Sequence, residues 1–178
     1  MASSINASTA GAGGVITTAD ASGILNLQSG GVTVATINST GIVMASTTAP
    51  AFSAYAGSAT SLTGGGFTKV LFDTEEFDTN SNFASSRFTP TVAGYYQINS
   101  SISVGTGTQL VCSIYKNGTE YKRGVNVTVT NNQSVASSIV YFNGSTDYSE
   151  IYCFSGASQN TNTGIALVYF NGCFVRSA

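Results

Sequence analysis

Between Gly94 and Val104 the side chains alternate with a period of two: Tyr96, Ile98, Ile102 and Val104 share one parity, with polar residues between them. That period puts the apolar set on one face of a pleated strand and scatters it around a helix. The segment is therefore a strand with one buried face. Strand-like runs recur from Phe67 onward, near 67–72, 83–88, 94–104, 109–116, 120–129, 134–142, 147–155 and 164–176, with turn signals between them. Short strands at such regular spacing describe a sandwich or barrel.

Landmarks sharpen this reading. Thr89-Pro90 and Ala93-Gly94 punctuate the approach to the alternating strand, and Lys116-Asn117-Gly118 is an Asn-Gly hairpin turn. Tyr169-Phe170-Asn171-Gly172-Cys173-Phe174-Val175 is an apolar strand with a glycine where neighbouring side chains must come close. In order and spacing, Phe88, Gly94-Tyr95-Tyr96, Tyr115 to Gly118 and the 169–175 block resemble the globular head of complement component 1q, a relative of the tumour-necrosis-factor fold. Ser81 stands where that family has an aromatic, and Ile98 and Ser100 replace the aromatics that follow its Gly-x-Tyr. The resemblance covers roughly residues 67–178. It implies an all-β, ten-strand antiparallel jelly roll that assembles as a homotrimer and binds partners without catalysing a reaction.

Composition excludes several functions. Charged residues make up 8% of the chain, against about 25% in ordinary globular proteins. A net charge of −2 with six Lys and Arg lacks the basic footprint of a nucleic-acid binder. Histidine is absent, which removes imidazole acid–base chemistry and His-containing metal sites. No Gly-x-Ser-x-Gly elbow accompanies the many serines. Neither an enzyme nor a cofactor is expected. Cys112, Cys153 and Cys173 each lie in an apolar run and are expected to be small buried hydrophobes. An odd cysteine count without a signal-peptide pattern fits synthesis in a reducing cytoplasm. No 18-residue apolar run is present, so no membrane insertion is expected.

The charge distribution divides the chain. Before Lys69 the only charged side chain is Asp20. Residues 1–14 alone have the composition of a flexible tail, and fixing each backbone residue costs about 1–2 kcal/mol, so other chains would have to hold them. Val15 to Thr18, Ile24 to Leu27, Val32 to Ile37 and Ile42 to Met44 are short strand-like runs separated by Gly- and Asn-containing turns. Strands this short cannot bury a core in a monomer of about 50 residues, whereas three intertwined copies could. The phrase from Val15 to Met44 resembles segments of trimeric virion proteins of tailed bacteriophages, either fibres or head or tail decoration proteins. The expected organisation is a virion-anchoring and trimerising segment over residues 1–50, a Gly/Ser/Thr-rich linker over 51–66 and a jelly-roll knob over 67–178.

Two late runs, Ile151 to Phe154 and Ile165 to Phe170, are apolar on both faces. A sandwich strand has one core face, so a neighbouring subunit is the expected cover for the other. Tyr96, Tyr152, Phe154, Tyr169 and Phe174 are the candidate interface residues. The candidate binding surface is a set of uncharged apical loops containing Thr106, Thr108, Asn131, Asn132, Gln159, Asn160 and Asn162, whose amides suit a host-surface glycan. Asp73, Glu75, Glu76 and Asp78 form the one charge cluster. Without an Asp-x-Asp-x-Asp-Gly loop they are expected to be solvated, with calcium and carboxylate catalysis as lesser alternatives. Asp147 is expected to start a turn, and Lys122-Arg123 to be solvated or to meet a carboxylate such as Glu120.

Together these features point to a non-enzymatic virion protein made in the host cytoplasm. In this reading a homotrimer is anchored to other virion proteins through residues 1–50 and presents its knob for adhesion. The alternatives are a capsid or tail cement protein and, more remotely, a secreted complement-like or cytokine-like ligand.

Overall fold

The computed structural model describes residues 22–29, 31–39, 41–44, 49–128 and 130–178. The strand expected at Val15 to Thr18 and the tail before it lie outside the described residues. The chain divides between Ser46 and Thr47 into two compact units. The first holds a three-stranded antiparallel meander of β1 (Leu25–Ser29), β2 (Val32–Asn38) and β3 (Gly41–Met44). Its turns fall at the glycines and asparagines expected to make them. Ile24, Leu25 and Leu27 are exposed on this sheet, and Ala35 is buried.

The second unit runs through β4 (Ala51–Tyr55), β5 (Ser61–Leu62), β6 (Gly66–Lys69), β7 (Thr74–Asp78), β8 (Phe83–Ala84), β9 (Arg87–Phe88), β10 (Gly94–Ser103), β11 (Leu110–Lys116), β12 (Thr119–Val127), β13 (Gln133–Phe142), β14 (Ser149–Ser155), β15 (Gln159–Asn160) and β16 (Tyr169–Arg176). Two five-stranded antiparallel sheets, in the orders β13-β10-β16-β4-β7 and β12-β11-β14-β9-β8, face each other as a ten-strand jelly-roll sandwich. Asn117 and Gly118 both take positive φ, at 52° and 78°, the pair of values that a two-residue hairpin turn matched to strand twist requires.

The even-numbered set of β10 points inward as its alternation demands. Tyr96, Ile98, Ile102 and Val104 have 0% exposure. Around them gather Phe52, Phe83, Phe88, Phe142 and Phe170, with Phe52 stacked on Phe88 at 4.2 Å and on Phe83 at 5.1 Å and meeting Phe170 edge-on at 4.8 Å. Gly172 lies opposite Ile98, and a Cβ there would come within 3.0 Å of Ile98, Gln97 and Phe52. The close approach read from the sequence at this glycine is thus present.

Three expectations need correction. Residues 51–66 are not a linker: β4 is hydrogen-bonded between β16 and β7, and Phe52, Ala54, Ala56 and Leu62 belong to the core. The stretch from Ile165 to Val168 is a turn closed by Leu167 N–H and Val168 N–H on Gly164 O, so Ile165 and Leu167 are exposed while Val168 alone enters the core. Cys112 and Cys153 are buried opposite each other on β11 and β14, where burial pushes the Cys112 thiol up to about 12 and Cys153 higher still. Cys173, in contrast, is exposed, because the residues of β16 that alternate with Phe170 and Gly172 face outward.

Candidate functional site

Antiparallel register places the loops after β10, β12 and β14 at one end of the sandwich. Ala51 and the end of β16 lie at the other. The three loops are tied together by backbone bonds: Asn131 N–H to Gly105 O at 3.3 Å, Gly156 N–H to Gln109 O at 2.8 Å and Asn162 N–H to Ser103 O at 2.8 Å. The candidate loop residues therefore do converge, but in two roles. Asn132 is 2% exposed and gives its amide N–H to Thr108 O at 2.7 Å. Asn162 donates to Ser103 Oγ at 2.9 Å, and Gln159 donates to Ser155 Oγ at 2.9 Å. Asn132 and Asn162 thus hold the loops to each other, while Gln159 braces its own loop against the end of β14. Thr106, Asn131 and Asn160 stay exposed and are the candidate residues a ligand at this end would meet.

The expected interface residues do not share a surface. Tyr96 has 0% exposure, with its hydroxyl donating to Val92 O at 2.7 Å, so no part of it is left for a partner. Phe174 packs on its core side, edge-on to Tyr96 at 5.3 Å. Tyr152 and Phe154 lie on the outer face of the β14 sheet, where the chain covers them in part. Phe67 of β6 sits 5.6 Å from Phe154 and 5.9 Å from Tyr115, and Tyr115 stacks on Tyr152 at 4.1 Å. Phe67 thus supplies from within the chain part of the cover for the second apolar face of β14, whose Tyr152 and Phe154 are half-buried.

Tyr169 belongs to a different surface, the outer face of β13-β10-β16-β4. Here the cross-strand rows are Tyr141–Tyr95, Ile139–Gln97–Cys173, Ser137–Asn99–Asn171 and Val135–Ser101–Tyr169. Ile139 is 52% exposed and Val175 51%, with Val135, Tyr95 and Tyr141 also open. At the centre, Gln97 Nε2 donates to Asn99 Oδ1 and to Ser137 Oγ, each at 2.9 Å, and Asn99 Nδ2 donates to Asn171 Oδ1 at 3.1 Å. The face is an amide network framed by apolar side chains, with charge only at its rim, where Glu76 meets Ser53 at 2.7 Å and Arg176 lies 5.8 Å from the Tyr95 ring. Sequence alternation could have identified it, because every odd-numbered residue of β13 from Gln133 to Tyr141 points outward and none is charged.

The acidic run does not converge. Asp73 accepts the Gly57 N–H at 2.6 Å, Glu76 accepts the Ser53 hydroxyl at 2.7 Å and Asp78 accepts the Phe83 N–H at 2.7 Å. Spread along an edge strand with separate partners, these carboxylates neither pair for catalysis nor enclose a cation. Among the described residues no group of three or more His, Cys, Asp or Glu could hold a metal ion. Arg123 pairs with Glu120 of its own chain at 2.6 Å. Asp147 does more than start a turn: it accepts from Lys116 at 2.9 Å and Asn117 at 2.8 Å, joining two loops.

One buried carboxylate, Glu150, carries no local mark in the sequence. It is 3% exposed and its Oε1 accepts from both Lys69 Nζ and Arg87 Nε at 2.8 Å. These bonds tie β6 and β9 to β14. Burial raises its pKa, but the hydrogen bonds and charges of Lys69 and Arg87 outweigh that and hold it below the ordinary glutamate value. A carboxylate depressed in the folded state contributes stability above its unfolded pKa of about 4.3 and loses it as pH falls through the folded value. Thermal melts should therefore fall from about pH 5 downward, and Glu150→Gln should flatten that acid limb. Glu150→Ala, which strands two cations, should cost about 2–3 kcal/mol at neutral pH. An unchanged acid limb in Glu150→Gln would assign the acid sensitivity to Asp73, Glu120 and Asp147, whose pKa values are also lowered.

No protein-family model and no curated protein matches the sequence. Solved structures match by fold. Murine APRIL superposes with a TM-score of 0.58 at 9% identity, over 71% of this chain and 99% of that one. The globular domain of the zebrafish complement 1qA protein gives 0.55 at 16% identity, over 72% and 98%. Vertex protein P5 of phage PRD1 gives 0.54 at 13%, over 71% and 97%. At these identities the likeness establishes the jelly-roll fold. Among the described residues no helix is long and apolar enough to cross a membrane.

Proposed function

We propose that this chain is a non-enzymatic structural protein of a phage particle, a homotrimer anchored through residues 1–50 and presenting the jelly roll for attachment to a host surface. The observation that carries the reading is the outer face of β13-β10-β16-β4. It is a broad, partly apolar sheet surface, charged only at its rim, on a fold that also forms a vertex protein of a phage. Burying one Ile, Val or Phe side chain is worth about 1.5–3 kcal/mol, and a three-fold arrangement repeats each contact three times. The amide network sits where it remains hydrogen-bonded within its own chain, so covering it leaves few polar groups unpaired. Three distal loop clusters would then lie side by side and bind by avidity, which can raise apparent affinity about 10²–10⁴-fold without new contacts.

Light scattering on the full chain is expected to give the mass of three chains. Ile139→Asp should reduce it to one, because an unpaired charge buried against apolar neighbours costs several kcal/mol. A monomeric wild type, or a variant that stays trimeric, would sink this interface. Attachment is tested by binding of labelled protein to host cells, with substitutions at Thr106, Asn131 and Asn160 expected to weaken it. A capsid or tail cement role is the second reading. It is favoured by the pinning of Asn132, Gln159 and Asn162 within the scaffold, and under it those substitutions leave attachment unchanged.

A further inference from the structure

The β8–β9 hairpin walls a cavity of about 470 Å³ that shares no lining residue with the distal loops or the outer face of β13-β10-β16-β4. Lys69, Ser81, Ala84, Ser85, Arg87 and Thr91 are among the residues that line it. Two of the chain's six basic residues thus meet at one opening, in a protein of net charge −2. The carboxylate that answers them, Glu150, uses a single oxygen for both, so the local balance is one positive charge. Arg87 spends only its Nε on Glu150, and its guanidinium carbon lies 3.9 Å from the centre of the Tyr148 ring. Stacking fixes the guanidinium plane. Among the described residues no acceptor meets its two terminal amino groups, which leaves a planar, oriented fork of N–H donors. That geometry matches a carboxylate, which takes two parallel bonds.

The backbone supplies an independent observation. Ser81, Ser85 and Ser86 have φ of 54°, 52° and 58°, a left-handed conformation that costs a side-chain-bearing residue roughly 1–2 kcal/mol and that glycine adopts freely. Ser86 has a structural reason to be serine: its hydroxyl accepts from Phe72 N–H at 2.8 Å and donates to Phe72 O at 3.3 Å. Among the described residues no partner meets the hydroxyls of Ser81 and Ser85, and both residues line the cavity. Ser85 and Ser86 form the two-residue turn between Ala84 and Arg87, and at Ser81 and Ser85 the group gained over glycine is a hydroxyl on a residue that lines the same cavity as Arg87.

We propose that this cavity binds an acidic sugar, a polyhydroxylated monocarboxylate of the size of a uronic acid. Its carboxylate sits on the Arg87 fork, Lys69 adds the second positive field, and its ring hydroxyls bond to Ser81, Ser85 and Thr91. The volume falls within the range of about 300–1,000 Å³ usual for small-ligand sites. The site is contained in one chain, so its occupancy does not depend on the trimer or on the particle.

The test is calorimetry and saturation-transfer NMR on the full chain with D-glucuronate, D-glucose and inorganic phosphate as probes. Glucuronate is expected to bind at least about tenfold more tightly than glucose, a discrimination of about 1.4 kcal/mol, and to weaken as salt is raised. Arg87→Gln should lose at least that factor. Because that variant also loosens the Glu150 pairing, Ala84→Tyr serves as the second. It fills the cavity from an exposed strand position and should abolish binding while leaving the melting temperature unchanged. Absence of glucuronate binding, equal binding of glucose, phosphate bound as tightly as glucuronate, or binding that survives Ala84→Tyr would each overturn the proposal. Since the measurement is independent of assembly, its failure leaves the trimer reading intact, and a monomeric chain leaves this one intact.

Discussion

Phe52→Ala is expected to lower stability by about 3–5 kcal/mol, the range for removing a fully buried aromatic from a core that cannot collapse around the gap. Phe52 is 1% exposed and contacts Phe83, Phe88 and Phe170, which come from three different strands. Its loss opens the centre of the sandwich, where no flexible side chain can move in. The same residue decides where the domain begins. A chain starting at Thr47 keeps β4 between β16 and β7 and should unfold cooperatively in urea. A chain starting at Phe67 loses β4, β5, Phe52, Ala54 and Leu62 together, separates β7 from β16, and should not fold. A cooperative transition in the shorter chain would show that residues 51–66 are dispensable after all.

Gly124→Ala is the second large effect, and its mechanism is the opposite one. A Cβ at this position would lie 2.0 Å from Val135 O and 2.8 Å from Cys112 O. Both obstacles are backbone, so no rotamer change relieves them. Gly124 lies where β12 passes close to β13, the corner at which one sheet meets the other. There Ser134 completes the closure by donating to Val125 O and accepting the Cys112 N–H. Overpacking usually costs about 1–3 kcal/mol, and a rigid obstacle places this substitution at the upper end. Gly105→Ala is the control: its nearest neighbour is Asn162 Oδ1 at 4.0 Å, and its melting temperature should match the parent. Equal melts for the two variants would show that the corner yields easily.

Alternation made one face of each long strand legible: β13 follows it along its length, and β10 follows it from Gly94 to Ser100, beyond which Ser101 and Ser103 are buried as well. Period alone does not say which of two layers a face meets. Tyr96 was accordingly assigned to a subunit contact although it fills the core, and the doubly apolar β14 was assigned a partner although the chain supplies part of its cover from Phe67. The strand at 51–55 was hidden by composition. Ala51-Phe52-Ser53-Ala54-Tyr55-Ala56 continues an Ala/Ser/Thr-rich stretch, yet Ala54 and Ala56 are small because they pack in a core crowded with phenylalanine rings. The convergence of the distal loops was legible because antiparallel turns of similar placement fall at one end. The pairing of Lys69 and Arg87 on Glu150 was not, since 81 residues separate Lys69 from Glu150 and nothing local marks either.

One side of the β13-β10-β16-β4-β7 sheet ends at β7, and that strand with its flank carries Asp73, Glu75, Glu76 and Asp78, half of the chain's eight acids. Unpaired strand edges invite sheet-to-sheet extension without limit. With four like charges along the edge, two copies brought rim to rim repel each other. In the proposed trimer, association is thereby directed to the sheet faces, which can close around an axis, and away from filaments that never terminate.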